Sequence, residues 1–248
     1  DGGLSSTTVL QHHRVLHKAL ECAVKWQVVG RNVADAVEPP RRERREMQTL
    51  DAEQVRKLLK EAETTDCYAP IYVAVNTGLR MGELLGLKWE DLDLKKGMAQ
   101  IKRSMQRVRG EGMVEAETKT HRSRRSLYLP PSVVEVLRKH RVQQSREKLL
   151  AGEAYSDRDL VFATPLGLPV DPSHVSKTFR RVLKRADLPM IRFHDLRHTH
   201  ASLMLKAGVH PKIVSERLGH AAVGITLDTY SHVLPNLQEE AARKLDEQ

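Results

Sequence analysis

Between His194 and Tyr230 the chain gathers side chains that can act on a phosphodiester. The stretch reads H-D-L-R-H-T-H at 194–200, L-G-H at 218–220 and T-L-D-T-Y-S-H-V at 226–233. A tyrosine oxygen attacking phosphorus needs the growing charge on the phosphate neutralised, and guanidinium forks do this bidentately. It also needs hydrogen bonds to the non-bridging oxygens and a proton for the departing sugar oxygen. His194, Arg197 and His220 are groups of that kind, and Arg80 and Lys119 add two cations from further upstream. Each alone has a plainer reading. His194 and Arg197 could be a basic helix start, His220 a residue capping a helix end, and Tyr230 a core-edge tyrosine with its polar tip in water. Their sum points to a metal-free phosphate cage around one nucleophile. Six histidines (194, 198, 200, 210, 220 and 232) beside Asp195 also suit a metal-dependent phosphohydrolase, but such sites need first-coordination carboxylates, and the stretch offers few.

Composition supports a polyanionic partner. The 248 residues carry a formal net charge of +9, with 41 Lys and Arg against 32 Asp and Glu, and double-stranded nucleic acid is the default target of such a balance. Aromatics make up only 4% of the chain, which argues against base stacking and for contact with a duplex backbone. An apolar fraction of 40% supports a packed core, and no window approaches a membrane span. No export signal opens the chain, and two cysteines, Cys22 and Cys67, make no disulfide framework, so a cytoplasmic bacterial location is expected.

The elements that must position the chemistry follow from periodicity and punctuation. Apolar residues from Thr8 to Val29 mark one long helix, and N-V-A-D-A-V-E-P-P followed by R-R-E-R-R-E at 41–46 marks a linker. One helix cannot bury a core, so residues 1–46 read as the end of a small helical domain whose beginning is absent. Residues 47–248 form the second domain. Asp51 and Gln54 make a capping box for a helix carrying Val55, Leu58, Leu59 and Ala62. A more apolar helix runs over 70–78, and a short one starts near Met81 with Glu83 in its first turn and Arg80 at its entry, where unpaired N–H groups welcome an anion. Residues 99–129 read as one small antiparallel sheet with a turn at G-E-G 110–112 and a basic tip holding Lys119. A helix from Pro131 to about Leu150, a short strand L-V-F-A-T at 160–164 and a helix capped by Asp171 and Pro172 follow. The helix after His194 buries Leu196, Leu203 and Ala207 and stops at Gly208. The next, from Pro211, buries Ile213, Val214 and Leu218 and stops at Gly219. The fold class expected is α+β, mainly helical, with a minor antiparallel sheet.

The motifs N-T-G-L-R-M-G-E-L-L-G-L, T-K-T-H-R-S-R-R-S-L-Y-L-P, H-D-L-R-H-T-H-A-S, L-G-H and T-L-D-T-Y-S-H-V, in this order over residues 47–235, resemble the tyrosine recombinase (phage integrase) family. The wording around Tyr230 is most similar to integrases of Gram-positive phages and conjugative transposons, with the chromosome-dimer-resolving Xer-type recombinases next. The resemblance implies Arg80 as the first catalytic arginine, Lys119 as the hairpin lysine and general acid, and His194 with Arg197 as the H-x-x-R pair. It implies His220 as the second histidine and Tyr230 as the nucleophile. His194 would assist proton removal from Tyr230, with Glu83, Asp195 and His198 in supporting places. It implies strand cleavage through a 3′-phosphotyrosyl bond with no cofactor, and residues 1–46 as the last helix and linker of a core-binding domain. Arg103, Arg122, Arg124 and Arg125 are candidates to touch DNA. The expected partners are double-stranded DNA, a homo-tetramer joined through the tail after Leu234, and an accessory DNA-bending or excision factor. A type IB topoisomerase and a non-catalytic DNA-binding protein are the remaining alternatives.

Overall fold

The computed structural model describes residues 3–40, 47–117, 124–220 and 222–230. The expected linker 41–46, Lys119, Arg122 and the tail lie outside them. The chain divides into two compact units, Asp1–Met47 and Gln48–Gln248.

In the first unit, α1 (Ser6–Lys25) starts where the Ser5 hydroxyl accepts the Thr8 N–H. It ends at Trp26, and a 3₁₀ turn (Val33–Ala36) folds back on it. His17 meets Asp35 at 2.7 Å, and the Asn32 amide donates to the His17 carbonyl. Ala34 is buried, whereas Val15, Leu16, Trp26 and Val28 are exposed.

The second unit is α+β and mainly helical. α2 (Ala52–Ala62) carries the capping box of Asp51 and Gln54. α3 (Tyr68–Thr77) is apolar all round and correspondingly buried, against α2 and two later helices, α5 (Pro131–Ala151) and α7 (Asp195–Lys206). α4 (Met81–Leu85) lies on the strand β3 (Arg103–Val108). α6 (Pro172–Arg185) is capped by Asp171 with Pro172 in its first turn. α8 (Pro211–Leu218) and α9 (Val223–Tyr230) complete the described part. Leu58, Ile71, Leu84, Ile101, Leu127, Phe162, Phe179 and Leu196 belong to one continuous core. The Thr199 hydroxyl in α7 accepts the Leu50 N–H and so ties the start of the unit to its functional end.

Three expectations need correction. Residues 99–129 make two sheets. β1 (Leu92–Asp93), β2 (Met98–Ile101) and β5 (Arg125–Tyr128) form one antiparallel sheet in the order β1-β2-β5, while β3 pairs with β4 (Gly112–Glu117) as a separate hairpin. The chain leaves one ladder at Lys102, where Lys102 and Arg103 both turn to the buried carboxylate of Asp91. The segment 160–164 is not a strand. It makes only isolated bridges, Lys88 to Leu160 and Ala163 to Pro169, after Asp159 has turned the backbone to a positive φ of 57°. Ala207 and Ile213 are exposed, and Leu205 takes the buried place near the end of α7.

Candidate active site

The site is built where the ends of α3, α4, α7, α8 and α9 meet. α3 stops at Gly78, whose φ of 67° is the left-handed cap a glycine adopts readily. A β-carbon there would stand 2.6 Å from Leu218 and 2.8 Å from His200, so glycine also allows the close approach of α3 to α7 and α8. Two residues on, Arg80 caps α4. The Glu83 carboxylate accepts the Arg80 backbone N–H at 3.1 Å and its guanidinium at 2.8 Å, so the group that closes the helix also aims the arginine. From β5, Arg125 donates two bonds to the same carboxylate, at 3.0 and 2.9 Å, and its Nε donates to the Arg217 carbonyl of α8. Burial alone would raise the Glu83 carboxyl, but Arg125 and then Arg80 bring it down to about 2.

Arg197 projects from the first turn of α7 and is 3% exposed. Its guanidinium donates to the Gly78 carbonyl at 2.9 Å and to the Leu218 carbonyl at 2.6 Å. Burial and the neighbouring charge of Arg80 push it down to about 9, which still leaves it positive at neutral pH. With Glu83 shared by two arginines, this corner carries uncompensated positive charge in a desolvated setting, where an anion is held far more strongly than in water.

His220 follows the left-handed Gly219, and its Nδ1 is 2.8 Å from the Thr226 hydroxyl of α9. Tyr230, at the end of α9, is 1% exposed, with its hydroxyl 2.7 Å from His198 Nδ1. Burial raises the Tyr230 hydroxyl to about 12. Burial first, then nearby cationic groups, lowers His194, and lowers His198 and His220 to about 4, so all three rings are neutral at pH 7. The arrangement brings a phenol, two anion-seeking guanidinium groups and neutral imidazoles close together.

A model of the phage integrase family matches residues 48–236. The chain belongs to that family, the tyrosine recombinases. An XerC-like tyrosine recombinase of Caldanaerobacter subterraneus subsp. tengcongensis is 33% identical over 99% of this chain and 67% of its own length. The ICEBs1 integrase of Bacillus subtilis is 30% identical over 99% of this chain and 67% of its own length. Among solved structures, the Tn1549 transposon integrase in complex with transposon right end DNA superposes with a TM-score of 0.81 at 21% identity, covering 98% of this chain and 81% of that one. At that identity the match speaks for the fold.

In this integrase-family chain the structure gathers Arg80, His194, Arg197, His220 and Tyr230, residues separated by up to 150 positions. Lys119 and Arg122 lie outside the described residues, and Arg124 is exposed beside β5. Of the other two expected DNA contacts, the Arg125 side chain packs against Glu83 and Arg103 bonds Asp91, Glu90 and Glu115. The partner of the tyrosine hydroxyl is His198, which the sequence reading placed in a supporting role while giving that contact to His194. A signal was available: His194 and His198 stand four apart, one turn of helix, and their rings meet edge to face at 5.5 Å. His200 is structural, with Nδ1 at 2.9 Å from the Val75 carbonyl and Nε2 accepting from Arg217. Among the described residues, the one group of three His, Cys, Asp or Glu metal donors within 4.8 Å of one another is Asp66, Cys67 and His174, where Asp66 already bonds His174 at 2.7 Å.

Proposed function

We propose that this chain is the catalytic part of a site-specific DNA recombinase, serving integration and excision of a mobile element. The observation that carries the proposal is the Tyr230 hydroxyl, buried beside Arg197, whose guanidinium has backbone carbonyls for partners and charge to spare for a phosphate. Tyr230 attacks the scissile phosphorus, giving a 3′-phosphotyrosyl bond and a free 5′-hydroxyl. The reverse step with a partner strand rejoins new ends, so bond energy is conserved and no nucleotide is consumed. Arg80 and Arg197 hold the non-bridging oxygens, with His220 as a further donor, and Lys119 supplies the proton to the leaving oxygen. Arg103, Arg122, Arg124 and Arg125 are the candidates for backbone contact, and the net charge of +9 supports a duplex partner. Residues 1–46 are the end and linker of a core-binding domain. The tail after Leu234 docks on a neighbouring protomer of a DNA-bound tetramer in the bacterial cytoplasm, assisted by a DNA-bending or excision factor. The similarity to the XerC-like relative favours a second reading, resolution of chromosome dimers.

Nicked suicide duplexes tiled across the DNA flanking the gene, run on a denaturing gel, test the proposal. The expected result is a labelled 3′ adduct that withstands EDTA and is absent from Tyr230→Phe. A metal-dependent product with no adduct would overturn it. Adducts confined to a chromosomal dimer-resolution site would instead select the second reading.

A further inference from the structure

We infer that His198, in place of His194, is the proton acceptor for Tyr230, which rests on the reading of Tyr230 as nucleophile. The His198 Nδ1 and the Tyr230 hydroxyl oxygen are 2.7 Å apart, and the two ring centroids are 5.8 Å apart. In this role the phenol donates to an unprotonated Nδ1, and the ring's own hydrogen is on Nε2. The bond also gives the proton a place to go: as the phenolic oxygen closes on phosphorus, its hydrogen already faces Nδ1. His194 stands one turn earlier on α7, its ring edge to face with that of His198 at 5.5 Å, and the hydrogen bond of the Tyr230 hydroxyl goes to His198.

The step balances as follows. The Tyr230 oxygen forms its bond to phosphorus, the phenolic proton passes to His198 Nδ1, the bond from phosphorus to the 5′ oxygen breaks, and that oxygen leaves with a proton from the general acid. His198 becomes an imidazolium beside a phosphodiester whose charge offsets it. Burial, with the positive charge of Arg197 nearby, keeps the His198 ring neutral and so an acceptor.

Single-turnover cleavage of an adduct-forming duplex tests this, compared with the same duplex carrying sulfur in place of the 5′ leaving oxygen. A thiolate departs without a proton, so a general-acid defect is rescued on the sulfur substrate and an acceptor defect is not. His198→Asn, which can keep a hydrogen bond at the Nδ1 position but cannot take a proton, is expected to slow cleavage about 10²-fold on both substrates. Lys119→Ala is expected to be slow only on the oxygen substrate. Wild-type rates for His198→Asn, or rescue of it by sulfur, overturn the inference. Absence of any adduct from the wild-type chain would instead sink the proposed function. A second measurement needs no variant: ¹⁵N spectra of the wild-type protein should show His198 protonated on Nε2 alone, and a proton on Nδ1 would overturn the assignment.

Discussion

Arg197 and Gly78 depend on one another. The guanidinium is buried and positive, and one of its two carbonyl partners belongs to the glycine that lets α3 close on α7. Arg197→Ala should lower the cleavage rate about 10²–10³-fold, the cost of losing one preorganised donor to a developing negative charge. Duplex binding should change little, because many other cations contribute to it. Gel-shift and single-turnover assays on one preparation check both parts, and parallel losses in binding and rate would contradict this. Gly78→Ala meets a positive φ as well as two contacts under 3 Å, so it should cost about 1–3 kcal/mol in denaturant unfolding. An unchanged midpoint would mean that α3 and α8 separate without cost.

At the level of elements, one carboxylate joins three of them. Glu83 in α4 is bonded by Arg80 at the entry of its own helix and by Arg125 from β5, and Arg125 is tied in turn to α8. Both partners of the Glu83–Arg125 pair are nearly fully buried, so removing one strands the other. Glu83→Gln should therefore destabilise by about 3–5 kcal/mol. Glu83→Gln combined with Arg125→Met should recover part of that loss in a double-mutant cycle, and strict additivity would show that the bridge is not a unit. Cleavage by Glu83→Gln should also fall, since Arg80 loses the group that aims it.

On the scale of the whole second unit, burial holds a group of histidines neutral, while Glu83 stays charged among arginines. His198, His200 and His220 are lowered to about 4, against an ordinary 6.5. The unfolded chain therefore binds protons first as pH falls, and the stability present above about 6.5 is lost on the way down to 4. Glu83, held near 2 against an ordinary 4.5, adds a further loss from 4.5 downward. Thermal melts at pH 7, 5.5 and 4 should show a progressive fall in Tm, and a flat profile over that range would contradict the burial of these rings. With a net charge of +9, duplex affinity should also drop steeply with salt, as a log–log slope measured by fluorescence anisotropy.

What the sequence by itself determined is local in origin. The capping box at Asp51 and Gln54, the stops at Gly78 and Gly219, the Asp171–Pro172 start and the types of the site residues all depend on neighbours a few positions apart. Short-range hydrogen bonds and backbone preferences decide such features. The tertiary structure decided which partner each polar group took. Arg125 finds Glu83 across 42 residues and Tyr230 finds His198 across 32, and periodicity in either segment is silent about the other. The same limit explains the one sheet that became two and the strand at 160–164 that proved to be isolated bridges: ladder pairing is a property of two segments, and each looks alike alone. Spacing could propose which residues carry the chemistry. Only packing could turn the tyrosine hydroxyl to His198.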